Sequence, residues 1–195
     1  NVLVSRTQLI EIGGGFRIPD VMRQSGANLL EIGTTNRVHA YDFENALKEN
    51  PIALVLIAHH SNFKLMGFHG EPNLQEIVNI AHANHVPVVH DIGSGALLDT
   101  ANYGLAHEPT VQESIQLGCD LVCFSGDKLM GGPQAGIIVG KEDLLAKIRI
   151  HPLARALRAD KLTLAGVTAT LTHYLKNEAE MEVPVWQMIT RPLET

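Results

Sequence analysis

Short, nearly unbroken apolar runs alternate along this chain with amphipathic stretches, and that alternation leaves it few ways to fold. VLVS (2–5), ANLLEI (27–32), IALVLIAH (52–59), VPVVHD (86–91), CDLVCFS (119–125) and AGIIVG (135–140) read as strands. Runs this continuous suit strands covered on both faces, as in parallel sheets. Between them, DFENALKEN (42–50), PNLQEIVNIAHANH (72–85) and PTVQESIQLG (109–118) read as helices. Pro72 and Pro109 suit early helical positions, and Gly118 suits a helix end. KEDLLAKIR (141–149) starts a further helix, and residues 160–182 read as one or two longer ones. The pattern predicts an α/β fold: a three-layer domain with a mostly parallel sheet and functional loops at the strand ends.

Composition narrows the function. The 195 residues are enough for one domain with its own core. No run approaches the roughly 20 apolar residues of a membrane span, so no membrane partner is expected. The net charge of −6 argues against wholesale wrapping of nucleic acid. HPLARALRADK (151–161) nevertheless sets Arg155, Arg158 and Lys161 against the single Asp160. Cys119 and Cys123 fall on one face of a predicted strand, with neither a disulfide framework nor a metal motif, and read as reduced core thiols of a cytoplasmic protein. The 10 histidines lack a tight ligand spacing, so no metal is expected. His82, His85 and His107 read as surface residues, and Trp186 as a packing residue.

Chemistry concentrates at SGDKLMGG (125–132), where Lys128 stands between a buried strand and a glycine-rich turn. Asp91 ends an earlier strand and opens the loop IGSG. A lysine amine and a carboxylate so placed meet two demands of pyridoxal 5'-phosphate: the lysine as Schiff base, the acid against the ring nitrogen. Ser125, with backbone groups of Gly126, is a candidate phosphate donor, and Ser94 a further one. HHSNF (59–63) leaves the strongest apolar run and offers His60 to pack against the ring and Asn62 to hydrogen-bond to its hydroxyl or to substrate. IGGGF (12–16) reads as an active-site turn.

VSRTQLIEIGGGFRIPDVMRQSG (4–26), LEIGTTNRVHAYDFENAL (30–47), HHSNF, DIGSGALLD (91–99), FSGDKLMGGPQAGIIVGK (124–141) and HPLARALRADKLTL (151–164) follow one another in order. In these segments the chain resembles the bacterial selenocysteine synthase family, the L-seryl-tRNA(Sec) selenium transferases. The resemblance implies the large domain of a fold-type-I pyridoxal-phosphate-dependent transferase. It implies conversion of seryl-tRNA(Sec) to selenocysteinyl-tRNA(Sec) with selenophosphate, by β-elimination to an aminoacrylyl intermediate and addition of selenium. Lys128 is then the cofactor lysine and Asp91 the ring-nitrogen partner. Arg155 and Arg158 match an arginine pair that holds selenophosphate-like anions, and their spacing puts both on one face if the segment is helical. Asp127 assists proton transfer or orients Lys128. Arg37, in GTTNR, either reaches the active site or supports a neighbouring subunit, and Glu11 and Arg17 have the same standing. The family forms rings built from homodimers and grips tRNA mainly through an N-terminal domain.

On that resemblance, residues 1–175 are expected to be the cofactor-binding core, shortened at its N-terminus. Residues 176–195 are expected to be a partly packed linker toward a small C-terminal domain. A β-eliminase or ammonia lyase of a small amino acid, and a non-catalytic structural core, are the competing readings. GTTNR and HPLARALRADK weigh against the first, and the Asp91–Lys128 pair against the second.

Overall fold

Two units divide the chain, residues 1–91 with 115–121 and residues 92–114 with 122 onward. The computed structural model describes residues 1–192.

The first unit is built on β1 (Val2–Ser5), whose four residues are all buried. A small antiparallel hairpin of β2 (Glu11–Ile12) and β3 (Phe16–Arg17) follows, then α1 (Ile18–Gln24), β4 (Leu29–Ile32), α2 (Ala40–Glu49), β5 (Leu54–Ala58) and α3 (Leu74–Ala83). β6 (Val88–Gly93) starts in this unit. Pairing is parallel throughout the order β4–β1–β5–β6, with Val2 opposite both Leu29 and Leu54, and Val55 opposite Val88. Parallel neighbours need covering crossovers, which the helices supply. Phe43, Ala46 and Leu47 of α2 are buried, as are Ile77, Val78 and Ala81 of α3, each set at helical spacing.

Local chemistry sets the boundaries. β6 begins at Val88 because Pro87 has no N–H to give to a ladder. Pro72 lies outside its helix: the Asn73 side chain accepts the Glu76 N–H at 2.9 Å and takes the N-cap position itself. Pro109 likewise precedes α4 (Val111–Gln116), where Thr110 and Glu113 form a reciprocal capping box. His82 is more than a surface residue. Its Nε2 meets the buried Asp120 carboxylate at 2.9 Å, and that carboxylate also accepts the Val88 N–H at 2.7 Å.

β7 (Leu121–Ser125) starts two residues after Cys119, so the two thiols do not share a strand. The second unit continues with β8 (Gly136–Gly140), α5 (Glu142–Ile150), α6 (Pro152–Ala156), α7 (Lys161–Leu175), α8 (Ala179–Glu182) and α9 (Pro184–Thr190). Asp160 caps α7 by accepting the Leu162 and Thr163 N–H groups, and these bonds hold its pKa below the ordinary carboxylate value. Residues 176–192 are mostly exposed but contribute one buried cluster. Ala179, Val183 and Trp186 form a buried cluster against Leu98, Tyr103, Leu129, Tyr174, Val185 and Ile189. Trp186 is fully buried, in keeping with a packing role. Residues 193–195, the end of the expected linker, lie outside the described residues.

Candidate functional site

Between β7 and β8 the chain folds into a turn held at every step by its own backbone. Gly126 N–H donates to Ala135 O at 2.8 Å, Gly132 N–H to Gly126 O at 2.8 Å, and Gly131 N–H to Lys128 O at 2.9 Å. Leu129 N–H reaches out of the turn to Ser94 O at 2.9 Å. Lys128 is exposed at the apex, and Met130 beside it is fully buried. The amine stands over the loop that follows β6: a Cβ on Gly93 would lie 3.7 Å from Lys128 Nζ. Gly93 has φ +59°, so a side chain there would strain the backbone as well as crowd the amine. Next to it, Ser94 is buried, and among the described residues its Oγ has no hydrogen-bond partner. A buried hydroxyl without a partner is costly and calls for an explanation. Ser125 ends β7, half-buried, and Asp127 is exposed beside Lys128.

In the first unit, β6 alternates: Val88, His90 and Ile92 are buried while Asp91 is only half-buried, on the other face. The Asp91 carbonyl accepts the His59 N–H at 2.9 Å. Burial, with a contribution from His59, lowers the pKa of His90 to about 4, so a neutral imidazole sits behind the carboxylate-bearing strand at physiological pH. His60 and Asn62 are tied to main chain. His60 Nε2 lies 2.8 Å from Thr7 O with its ring against Phe63, and Asn62 Nδ2 donates to Glu11 O at 3.0 Å. Glu11 and Arg17 pair with each other across the β2–β3 hairpin, and IGGGF is the tip of that hairpin. Arg37 lays its guanidinium over Phe68 at 4.5 Å, with Nε buried and unpartnered among the described residues. It lines a cleft of about 700 Å³ with Arg6, Glu31, Asn36, Tyr41 and Asn45.

The arginine pair departs from expectation. α6 ends at Ala156, so Arg155 is in its last turn and Arg158 lies beyond it; the two share no helix face. Both are exposed. Pro152 opens a helix of only five residues, and Leu157 ends it by donating its N–H to Leu153 O.

A family model described as L-seryl-tRNA selenium transferase matches residues 1–195. The chain belongs to the L-seryl-tRNA selenium transferase family. It is 52% identical over 195 residues to the L-seryl-tRNA(Sec) selenium transferase of Alkaliphilus metalliredigens, covering 100% of this chain and 42% of that protein. It is 54% identical over 194 residues to that of Escherichia coli O45:K1, covering 99% of this chain and again 42% of the relative. The chain thus spans about two-fifths of the length of these curated relatives. Among solved structures, D-glucosaminate-6-phosphate ammonia-lyase matches with a TM-score of 0.72 at 23% identity, covering 90% of this chain and 43% of that one. Sphingomonas wittichii serine palmitoyltransferase matches with a TM-score of 0.60 at 16% identity, over 90% of this chain and 40% of that one. At these identities the likeness is one of fold: the mostly parallel, helix-flanked sheet of a fold-type-I large domain.

One residue of this family member escaped the sequence reading. Tyr174 contacts the Lys128 turn from 44 or more positions down the chain and accepts the Trp186 Nε1–H. No local signal pointed to it.

Proposed function

We propose that the protein containing these residues converts L-seryl-tRNA(Sec) to L-selenocysteinyl-tRNA(Sec) with selenophosphate, using pyridoxal 5'-phosphate, in the cytoplasm. The observation that carries this reading is a lysine amine set over the Gly93 loop, next to a buried Ser94 hydroxyl with no partner among the described residues. Such a hydroxyl has a proton to offer a phosphate oxygen, and the amine is the group an aldehyde cofactor requires. The residues present therefore fit the cofactor: Lys128 for its aldehyde carbon, Asp91 for its ring nitrogen, Ser94 and Ser125 for its phosphate.

When bound, pyridoxal phosphate supplies an electron sink for negative charge developing at the substrate Cα. Asp91 would pair with the ring nitrogen of the bound cofactor. Lys128 would take the substrate Cα proton as a general base and later return it. Asp127, adjacent and exposed, is the proposed acid for the hydroxyl leaving Cβ. Arg155 and Arg158 neutralise the anionic selenium donor, and their exposure lets them close on it. Arg37 contributes to substrate binding, and His60 and Asn62 border the ring. The fraction of relative length outside these residues leaves room for a tRNA-gripping region, and a homodimer-based ring is the proposed assembly. The 52–54% identities favour this reading over a small-molecule lyase, whose structural likeness stops at 23%.

The test is addition of pyridoxal phosphate to the intact protein and to a Lys128→Ala variant. The expected outcome is a visible absorption band in the parent and none in the variant, with borohydride fixing the cofactor on the peptide that contains Lys128. Seryl-tRNA turnover should vanish with the band. A band that survives in Lys128→Ala would overturn the assignment.

A further inference from the structure

The turn that carries Lys128 is gripped from its far side by a part of the chain with no chemistry of its own. Tyr174, in the last turn of α7, reaches two successive carbonyls just after the lysine: Met130 O at 2.8 Å and Leu129 O at 3.2 Å. Its oxygen in turn accepts the Trp186 Nε1–H at 2.5 Å. Trp186 is fully buried, and its ring lies 5.3 Å from that of Tyr103, whose hydroxyl donates to Glu180 at 2.6 Å. The peptide units next to Lys128 are thereby held at both ends. The Leu129 N–H is bound to Ser94 O, on the loop with the unpartnered hydroxyl, while the carbonyls at 129 and 130 are bound to Tyr174.

Shape supports the grip. Gly131 has φ +76°, and a Cβ there would run into Val183 and Val185 at the start of α9. The turn and the α8–α9 segment are thus fitted to each other at atomic contact. Mere burial of apolar surface would not require the tyrosine hydroxyl: a phenylalanine would fill the same volume. The hydroxyl is placed where it accepts from one partner and shares its single proton between two carbonyls beside the amine, mainly that of Met130 at 2.8 Å with Leu129 at 3.2 Å.

We propose that Tyr174, braced by Trp186, is a positioning residue for Lys128: its hydroxyl fixes the Leu129 and Met130 carbonyls and so sets where the amine stands. The inference rests on the cofactor role proposed for Lys128. A lysine that must leave a covalent link, move a proton and re-form the link needs a main chain that does not drift while its side chain swings.

The test is Tyr174→Phe in the intact protein, with Trp186→Phe as a milder companion that removes the N–H and keeps an aromatic ring. Two readouts are taken on each: borohydride trapping of pyridoxal phosphate at Lys128, and hydrogen exchange of the amides at 129–132. Losing one net hydrogen bond predicts exchange of those amides roughly five- to tenfold faster, with β1 and β5 unchanged, and trapping slowed by a similar factor. Trp186→Phe should shift both in the same direction by less. If the parent is trapped and Tyr174→Phe behaves like it in both readouts, the positioning role is overturned and the cofactor assignment stands. Faster exchange with undiminished trapping would also overturn it, because the hydroxyl would then serve only the fold. If the parent itself is not trapped at Lys128, the cofactor assignment fails, and the positioning role with it.

Discussion

Two stretches of the second unit carry charged groups with proposed chemical roles, and they are built in opposite ways. The Lys128 turn is closed by its own backbone bonds, tied to Ser94 and capped by Tyr174 and Trp186. The segment carrying Arg155 and Arg158 is a five-residue helix and an exposed exit, and among the described residues neither arginine forms an ion pair. The difference matches the two tasks proposed for them. An amine that makes and breaks a covalent bond gains from a fixed origin, whereas guanidinium groups that meet an arriving anion can order themselves on it at a modest entropic cost. A rigid turn also costs sequence freedom, and the exposed pair costs almost none.

That contrast can be broken first at Gly131. Alanine there must adopt a left-handed backbone conformation and push aside Val183 and Val185. A loss of about 2–5 kcal/mol is expected, from strain plus overpacking, read as a lower denaturant midpoint. A near-neutral substitution would mean that the turn is less tightly fitted than its contacts imply.

The arginines should respond the other way. Arg155→Ala and Arg158→Ala are each expected to leave stability within about 0.5 kcal/mol. Each should leave the cofactor band intact and raise the KM for the selenium donor roughly tenfold or more, as a charge-assisted bond predicts. A loss of the cofactor band in either variant would place these residues with the turn and erase the distinction.

The smallest effect is expected on the alkaline side. Burial, opposed in part by the Trp186 hydrogen bond, raises the Tyr174 pKa from 10.0 to about 12. Between those values the unfolded chain loses a proton that the folded chain keeps. The stabilisation is therefore fully present below pH 10 and declines as pH rises toward 12. Unfolding midpoints of the parent should fall over that window, and Tyr174→Phe should flatten the fall. Tyr103, also raised to about 12 by burial, will retain part of the slope.

Much of this was legible from residue order. The six apolar runs are all strands, because continuous apolar segments bounded by turn residues have little alternative in a covered sheet. Thr110 and Glu113 spell a capping box that the helix assignment passed over in favour of Pro109, although the T-x-x-E spacing was there to read. The arginine spacing misled for a related reason. Three residues apart puts two side chains on one helix face only while the helix lasts, and this one ends between them. The partly packed linker expected over 176–195 rests on an approach to a further domain, and nothing local reveals that Trp186 is closed over by Tyr103 and Tyr174.

By itself, the sequence determined the strand–helix alternation, the family, and the lysine and aspartate at two strand ends, because period and motif are properties of neighbours along the chain. Only the tertiary structure decided that the Ser94 hydroxyl is buried without a partner among the described residues, that Glu11 answers Arg17, and that Tyr174 and Trp186 close on the Lys128 turn. Those contacts join groups far apart in sequence, and their energies exist only once chain closure has been achieved and water excluded from between them.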